Sequence, residues 1–87
     1  MKKFHSKEEL LKYLTNMFPL ISTKAYNIFQ WLKSNDIEHS EVTDGIIYAS
    51  IPVRIFFIFK KKLLMRFHFN QALQLIRIET SESYTGL

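Results

Sequence analysis

Cysteine is absent from this sequence, and glycine and proline occur only twice each. Without cysteine the chain has neither disulfides nor cysteine-ligated zinc, which are the usual supports of small secreted domains. The two glycines stand apart, at Gly45 and Gly86, so a glycine-rich phosphate loop is excluded. No apolar run reaches the roughly 18–20 residues of a membrane span, because lysines interrupt the longest run at 60–62. We therefore predict a cytoplasmic protein with no membrane partner and no cofactor.

The 87 residues fit a single domain, 1–87, whose basic side chains are unevenly distributed. The net charge is +4, from 12 lysines and arginines against 8 acidic residues. Between Ile46 and Ile78 there are six basic residues and no acidic one. Such an excess is compatible with an anionic partner. Lysine outnumbers arginine, and isoleucine and phenylalanine are abundant, a bias typical of an AT-rich genome such as that of a low-GC bacterium, a phage or a plasmid.

The first third of the chain carries the signals of a helical hairpin, which we place at about residues 6–34. A capping box starts at Ser6, and apolar residues then recur at helical spacing until Pro19 ends the first helix. Ser22 or Thr23 is the predicted N-cap of the second helix.

From residue 37 onwards the pattern changes to β, which predicts a meander over about 37–79. Asp44 and Gly45 signal a tight turn after a weak strand over 37–43. The remaining predictions are strands over 46–51 (ended by Pro52), 53–59, 63–69 and 73–79, a turn made by the lysines at 60–62, and a frayed tail over 81–87. The expected fold is α+β, with the helical hairpin packed on one face of a four- or five-stranded antiparallel sheet in two layers.

Counting strand residues by twos divides the sheet into a core face and an outer face, the latter turned away from the helices. The core face is wholly apolar and comprises Val53, Ile55, Phe57, Phe59, Met65, Phe67, Phe69, Ile76 and Ile78. The outer face mixes apolar and charged groups and comprises Arg54, Phe56, Ile58, Lys60, Leu64, Arg66, His68, Leu75, Arg77 and Glu79. Since monomers rarely expose large apolar patches, we predict that the outer face binds a partner. The alternative is that the tail, the strand 37–43 or a second subunit covers it.

The predicted binding residues are Arg54, Phe56, Ile58, Lys60, Lys61, Lys62, Leu64, Arg66, His68 and Arg77. Arginine beside apolar groups is typical of protein interfaces. Phe56 is the one aromatic residue of this set, which is little for stacking bases and favours a protein partner. The alternative is direct RNA or DNA binding by the same face together with Lys60–Lys62. The three lysines also have a simpler interpretation, a solvated turn that discourages aggregation.

No motif in the sequence indicates catalysis or metal binding. His68 lies two residues from Arg66 and is expected beside Arg77 on the next strand, a combination that could act on a phosphodiester. Spacing places no second general acid or base near it. His39 lacks ligand spacing to the other histidines. We therefore predict no catalytic residue and no metal site.

A small basic chain with a helical hairpin before a meander resembles the RelE-like toxins, which are ribosome-dependent messenger-RNA endonucleases. The stretch VRIFFIFKKKLLMRFHF is similar to their paired central strands, with Arg54 at the strand start. The resemblance covers residues 4–79 and implies ribonuclease activity. The family's catalytic basic and aromatic residues near the C-terminus have no counterpart in the tail TSESYTGL, so no catalytic residue is transferred.

These observations lead us to expect a small non-enzymatic interaction module that inhibits or regulates a host protein or a protein–nucleic-acid complex. A phage or another mobile element is the expected source. RNA or DNA binding is the alternative function, and RelE-like ribonuclease activity is a third. A homodimer formed through the sheet is compatible with each of them.

Overall fold

The computed structural model describes the backbone of residues 3–56 and 59–86, and the side chains of residues 3–53 and 60–85. Two helices precede four strands: α1 (Lys7–Met17), α2 (Ala25–Ser34), β1 (Glu38–His39), β2 (Ile46–Phe56), β3 (Phe59–Phe69) and β4 (Leu75–Gly86). The strands are antiparallel and follow one another across the sheet in chain order. The predicted two-layer α+β fold is therefore confirmed.

The helical hairpin begins as predicted, but α2 starts later than the sequence indicates. The Ser6 hydroxyl caps α1 by accepting a backbone hydrogen bond from the first turn. Thr23 is not the cap of α2, because its carbonyl accepts the amide of Leu75 at 2.7 Å and so belongs to the edge of the sheet. Lys24 is the N-cap instead, and α2 begins at Ala25. Among the described residues, no helix is long and apolar enough to cross a lipid bilayer.

The predicted tight turn at Asp44 and Gly45 is confirmed. Both residues have positive φ, 53° and 75°, which is the conformation that a two-residue hairpin turn requires. Thr43 and Ile46 close the turn with two reciprocal backbone hydrogen bonds of 2.9 and 3.0 Å. The strand that precedes the turn is only Glu38–His39, much shorter than the predicted 37–43.

β2 runs through Pro52 as a single strand of 11 residues, so the predicted break there is wrong. The Ser40 amide donates to the Tyr48 carbonyl at 2.8 Å, which shows that the backbone of Tyr48 faces away from β3. Every second residue after Tyr48 faces the same way, and Pro52 is one of them. Because Pro52 lies beyond the segment paired with β1, its missing N–H removes no hydrogen bond from the sheet.

The core lies between the helices and the inner face of the sheet. Its fully buried side chains are Leu10, Leu14, Ile28, Leu32, Ile47, Leu63, Met65, Phe67 and Leu75. Phe18 packs edge-on against Phe67 and Trp31, with ring centroids 6.4 and 5.5 Å apart. The predicted core positions Met65, Phe67 and Phe69 are buried, which confirms the assignment of the β3 faces.

β4 departs from the prediction at both ends. Leu75 is fully buried whereas Ile76 is 44% exposed, the reverse of the predicted faces. The cause is a bulge: His68 pairs with Arg77 but Phe69 pairs with Leu75, so Ile76 is an extra residue. At the other end β4 continues to Gly86, so the predicted frayed tail is wrong over 81–86.

Candidate binding face

The three consecutive lysines lie within β3, so the predicted lysine turn is wrong. Residues 57 and 58, which join β2 to β3, lie outside the described residues. Alternation along β3 sends Lys60 and Lys62 to the outer face, where both are exposed. It sends Lys61 to the inner face, where this residue is only 8% exposed. Lys61 therefore does not belong to the predicted binding surface, whereas Lys60 and Lys62 do lie on it.

Lys61 makes several contacts within the protein. Its Nζ donates to the His5 carbonyl at 2.6 Å, lies 3.4 Å from Glu82 Oε1 and sits 5.7 Å from the centre of the Tyr84 ring. Glu82 also accepts the Lys7 amide at 2.9 Å, at the start of α1. These contacts connect the segment before α1 with the start of β3 and the second half of β4.

Glu82 is the centre of this group of contacts. The Tyr84 hydroxyl donates to Glu82, and this bond, with those from the Lys7 amide and the Lys61 ammonium, lowers the pKa of Glu82 from 4.5 to about 2. The same carboxylate raises the pKa of Tyr84. Glu82 is therefore ionised at neutral pH and available to hold Lys61.

The outer face is formed by alternate residues of β2, β3 and β4. Its described side chains are Ile46, Tyr48, Ser50, Pro52, Lys60, Lys62, Leu64, Arg66, His68, Arg77, Glu79, Ser81, Ser83 and Thr85. None of them is buried, although several are half-buried by their neighbours. The residues over 81–85, which were expected to be a free tail, are part of β4, and β1 has only two residues. Residues 81–85 therefore do not lie across this face, and β1 lies beside β2 at the edge of the sheet.

Glu79 brings together three of the predicted binding residues. Its Oε1 is 2.6 Å from His68 Nε2 and 3.4 Å from Arg66 Nε, and its Oε2 accepts from the Arg77 guanidinium. The contacts of Glu79 with Arg66 and His68 run between β4 and β3, where Arg66 is the direct cross-strand partner of Glu79 and His68 that of Arg77. The contact between Arg77 and Glu79 lies within β4. We call Arg66, His68, Arg77 and Glu79 the Glu79 cluster.

The electrostatics of the Glu79 cluster leave it cationic. The hydrogen bond from His68, with smaller contributions from Arg66 and Arg77, lowers the pKa of Glu79, so the carboxylate is ionised at neutral pH. Two arginines against one carboxylate leave a positive excess. The ion pairs also restrain Arg66, whose guanidinium reaches the Ser81 hydroxyl at 3.5 Å as well.

Tyr48 is a functional candidate that the sequence analysis missed. It lies directly opposite Arg66 in the β2–β3 pair and is 46% exposed. Together with Glu38 and Leu64 it lines a shallow groove of about 320 Å³ on this part of the sheet. The outer face predicted from the sequence began at Arg54. The same alternation of side chains over 46–51 places Tyr48 on the outer face.

Leu64 lies on the outer face as predicted, half-buried between Ser50 and Ser81 on the neighbouring strands. The outer face was also expected to include Arg54, Phe56, Ile58 and Leu75. Leu75 belongs to the core, not to the outer face, because of the bulge at Ile76. The side chains of Arg54, Phe56 and Ile58 lie outside the described residues.

Comparison of the chain with protein-family models, with curated proteins and with solved structures found no significant match. The RelE-like resemblance and the ribonuclease interpretation thus stay predictions. In the described part of the chain, no three or more His, Cys, Asp or Glu side chains are grouped so that they could hold a metal ion. The geometry that bears on function is the Glu79 cluster with Tyr48, Leu64, Lys60 and Lys62 around it.

Proposed function

We propose that the protein is a small non-enzymatic binding module, an inhibitor or regulator that holds an anionic surface of a larger protein or protein–nucleic-acid complex. The observation that carries the proposal is the Glu79 cluster on the outer face, with exposed Tyr48 and half-buried Leu64 beside it. Arginine and tyrosine next to apolar surface have the composition of the energetic centre of a protein interface.

Restraint of Arg66 supports this function. A guanidinium already held by Glu79 and Ser81 loses less side-chain entropy on binding than a free one, a saving of about 0.5–1.5 kcal/mol for each side chain restrained in advance. The exposed Lys60 and Lys62 lie further along β3, at the rim of this arrangement. Rim charges accelerate the encounter with an oppositely charged partner more than they strengthen the complex.

The test is affinity capture from a nuclease-treated bacterial lysate. Tyr48→Ser combined with Arg66→Ser should abolish capture of the proteins that the wild type retains, while the far-UV circular dichroism stays unchanged. A matched control combines Tyr26→Ser with Lys33→Ser, because both residues are exposed on α2, away from the outer face. This control should capture the same proteins as the wild type. Equal capture by the outer-face variant contradicts the proposal.

Direct nucleic-acid binding is the second candidate, favoured by a specific arrangement on the outer face. Lys60 and Lys62 are two strand residues apart, about 6.7 Å, and both are free to meet phosphates because Lys61 takes the internal contacts. Tyr48 beside Arg66 offers one ring on which a base could stack.

Salt dependence separates the two candidates. A nucleic-acid binder should hold labelled single-stranded RNA or duplex DNA with log affinity falling linearly against log salt. Lys60→Ser with Lys62→Ser should then reduce the slope for duplex DNA by about 1.8, since each phosphate contact contributes about 0.9. The protein-binding proposal expects no association with either probe even at low salt.

A further inference from the structure

The outer edge of β4 is open over much of its length. The Phe69 amide donates to the Gly45 carbonyl at 2.8 Å, so the backbone N–H and C=O groups of Phe69 point towards β2. Because these directions alternate, the backbone N–H and C=O groups of the even-numbered residues of β3 point towards β4. His68 pairs with Arg77, so the backbone groups of Arg77 and of each odd-numbered residue after it point towards β3. The even-numbered residues Ile78, Thr80, Glu82 and Tyr84 consequently direct their backbone N–H and C=O groups away from the sheet.

These outward groups lack partners within the described part of the chain. The edge of β4 is paired only at its beginning, where the Leu75 amide donates to the Thr23 carbonyl at 2.7 Å and its carbonyl accepts from the Ile21 amide at 2.7 Å. Beyond the bulge, Thr80 and Glu82 touch Lys7 through their side chains only. A row of unpaired backbone groups of this kind is a template for another strand.

The opposite edge of the long strands, formed by β2, is partly covered by other residues. β1 and the Ser40 amide cover β2 from Tyr48 to Ser50. Immediately beyond them stands Pro52, which offers no N–H on that edge. The outer edge of β4 has no covering strand, and residues 78–85 contain neither proline nor lysine and pair with β3 in regular register. The β2 edge is therefore partly covered, whereas the β4 edge has no covering strand beyond the bulge.

We infer that the outer edge of β4 pairs antiparallel with the β4 edge of a second copy of this chain, forming a continuous eight-stranded sheet. This inference is independent of the proposed function, although the dimer would place two outer faces side by side. A two-fold axis makes the contact self-complementary, since each outward N–H meets an outward C=O of the equivalent segment.

Charge along β4 disfavours some registers of this pairing. A two-fold axis at Glu79 or at Glu82 would set identical carboxylates directly opposite each other, which is unfavourable. An axis at Ser81 avoids this, because it pairs Thr80 with Glu82 of the other copy. It also pairs Ile78 with the exposed Tyr84 of the other copy, a β-branched residue against an aromatic one, which stabilises antiparallel strands.

The oligomeric state of matched variants at Thr80 tests the inference. Thr80→Pro removes one outward N–H and leaves the bonds to β3 intact, so the dimer dissociation constant should rise at least tenfold in sedimentation equilibrium. Thr80→Val is the control, because it removes the hydroxyl bond to Lys7 but keeps the N–H. This control should stay within threefold of the wild type. A wild type that is monomeric up to millimolar concentration overturns the inference, as does an unchanged dimer in Thr80→Pro.

Amide hydrogen exchange of the wild type gives a second readout that needs no substitution. The amides of Thr80 and Glu82 should exchange at least tenfold more slowly at concentrations where the protein is dimeric than where it is monomeric. The Ser81 amide faces β3 and should be protected at both concentrations. A dimer in which Thr80 and Glu82 exchange as fast as in the monomer uses another surface, and the inference is then wrong.

Discussion

Replacing Lys61 by methionine separates the internal lysine from its two exposed neighbours. The change removes the ammonium that donates to the His5 carbonyl at 2.6 Å and pairs with Glu82 at 3.4 Å, and it keeps an apolar stem of similar length. A hydrogen bond from a charged group contributes about 1.5–3 kcal/mol. Burial of the methionine side chain offsets a part of the loss, so we expect the free energy of unfolding to fall by about 2 kcal/mol. For a domain of this size that corresponds to a decrease in Tm of roughly 8–16 °C.

Urea denaturation followed by the fluorescence of Trp31, the single tryptophan, measures this effect. Trp31 packs against Phe18 in the core, so its emission should change on unfolding. Lys60→Met and Lys62→Met are the matched controls, and each should change the stability by less than about 0.5 kcal/mol because both side chains are exposed. If all three variants unfold at the same urea concentration, Lys61 does not face the interior and the assignment of the β3 faces is refuted.

Three further predictions concern the bulge, the turn and the response to acid. Leu75→Ala should lower the free energy of unfolding by about 2–5 kcal/mol, whereas Ile76→Ala, at a 44% exposed position, should cost less than about 1 kcal/mol; similar losses in urea denaturation would contradict the bulge. Gly45→Ala should cost about 1–2 kcal/mol, because φ is 75° and the added Cβ would lie 3.2 Å from the Phe69 carbonyl oxygen. Asp44→Asn, which suits positive φ equally well, should leave the urea midpoint unchanged. The pKa of Glu82 is lowered from 4.5 to about 2 on folding, so its stabilising effect is complete above pH 4.5 and is lost as the pH falls towards 2. Glu82→Gln should therefore flatten the pH dependence of the urea midpoint below pH 4.5, and an unchanged slope would contradict this assignment.

The sequence was sufficient for the parts of the fold that depend on local periodicity. The apolar stripe of α1 and the burial of Met65 and Phe67 follow from residue spacing of 3.6 or 2. The cap at Ser6 and the Asp44–Gly45 turn follow from the residue types at those positions. Each of these features is decided by residues close together in the chain. The α+β architecture follows because one helical hairpin can cover one face of the sheet.

The features that the sequence did not predict depend on pairing between distant segments. A proline usually ends a strand, but Pro52 is tolerated within β2 because its backbone faces away from β3 and lies beyond the residues paired with β1. Nothing local marks Ile76 as a bulge, because that depends on how β4 aligns with β3. The same alignment carries the polar residues of 81–86 into the sheet, which composition alone assigns to a tail.

The candidate site shows the same division. Alternation correctly placed Arg66, His68 and Arg77 on the outer face, but it could not show that Glu79 joins them, because contact between neighbouring strands requires the register. Lys61 was assigned to the site because a turn was expected where β3 begins. Neighbouring residues of a strand direct their side chains to opposite faces of the sheet, so Lys61 faces away from Lys60 and Lys62. The face of each lysine follows once the three are known to lie within β3.

The most direct test of the outer face as the binding surface is site-specific photo-cross-linking at two exposed tyrosines. The photoreactive residue p-benzoylphenylalanine replaces either Tyr48, on the outer face, or Tyr26, on α2, which is 65% exposed and therefore the more accessible of the two. Each variant is irradiated in nuclease-treated bacterial lysate, and covalent adducts are identified by mass spectrometry. We predict discrete protein adducts from position 48 and none from position 26. Adducts of the same proteins from both positions, or from position 26 alone, would contradict the account.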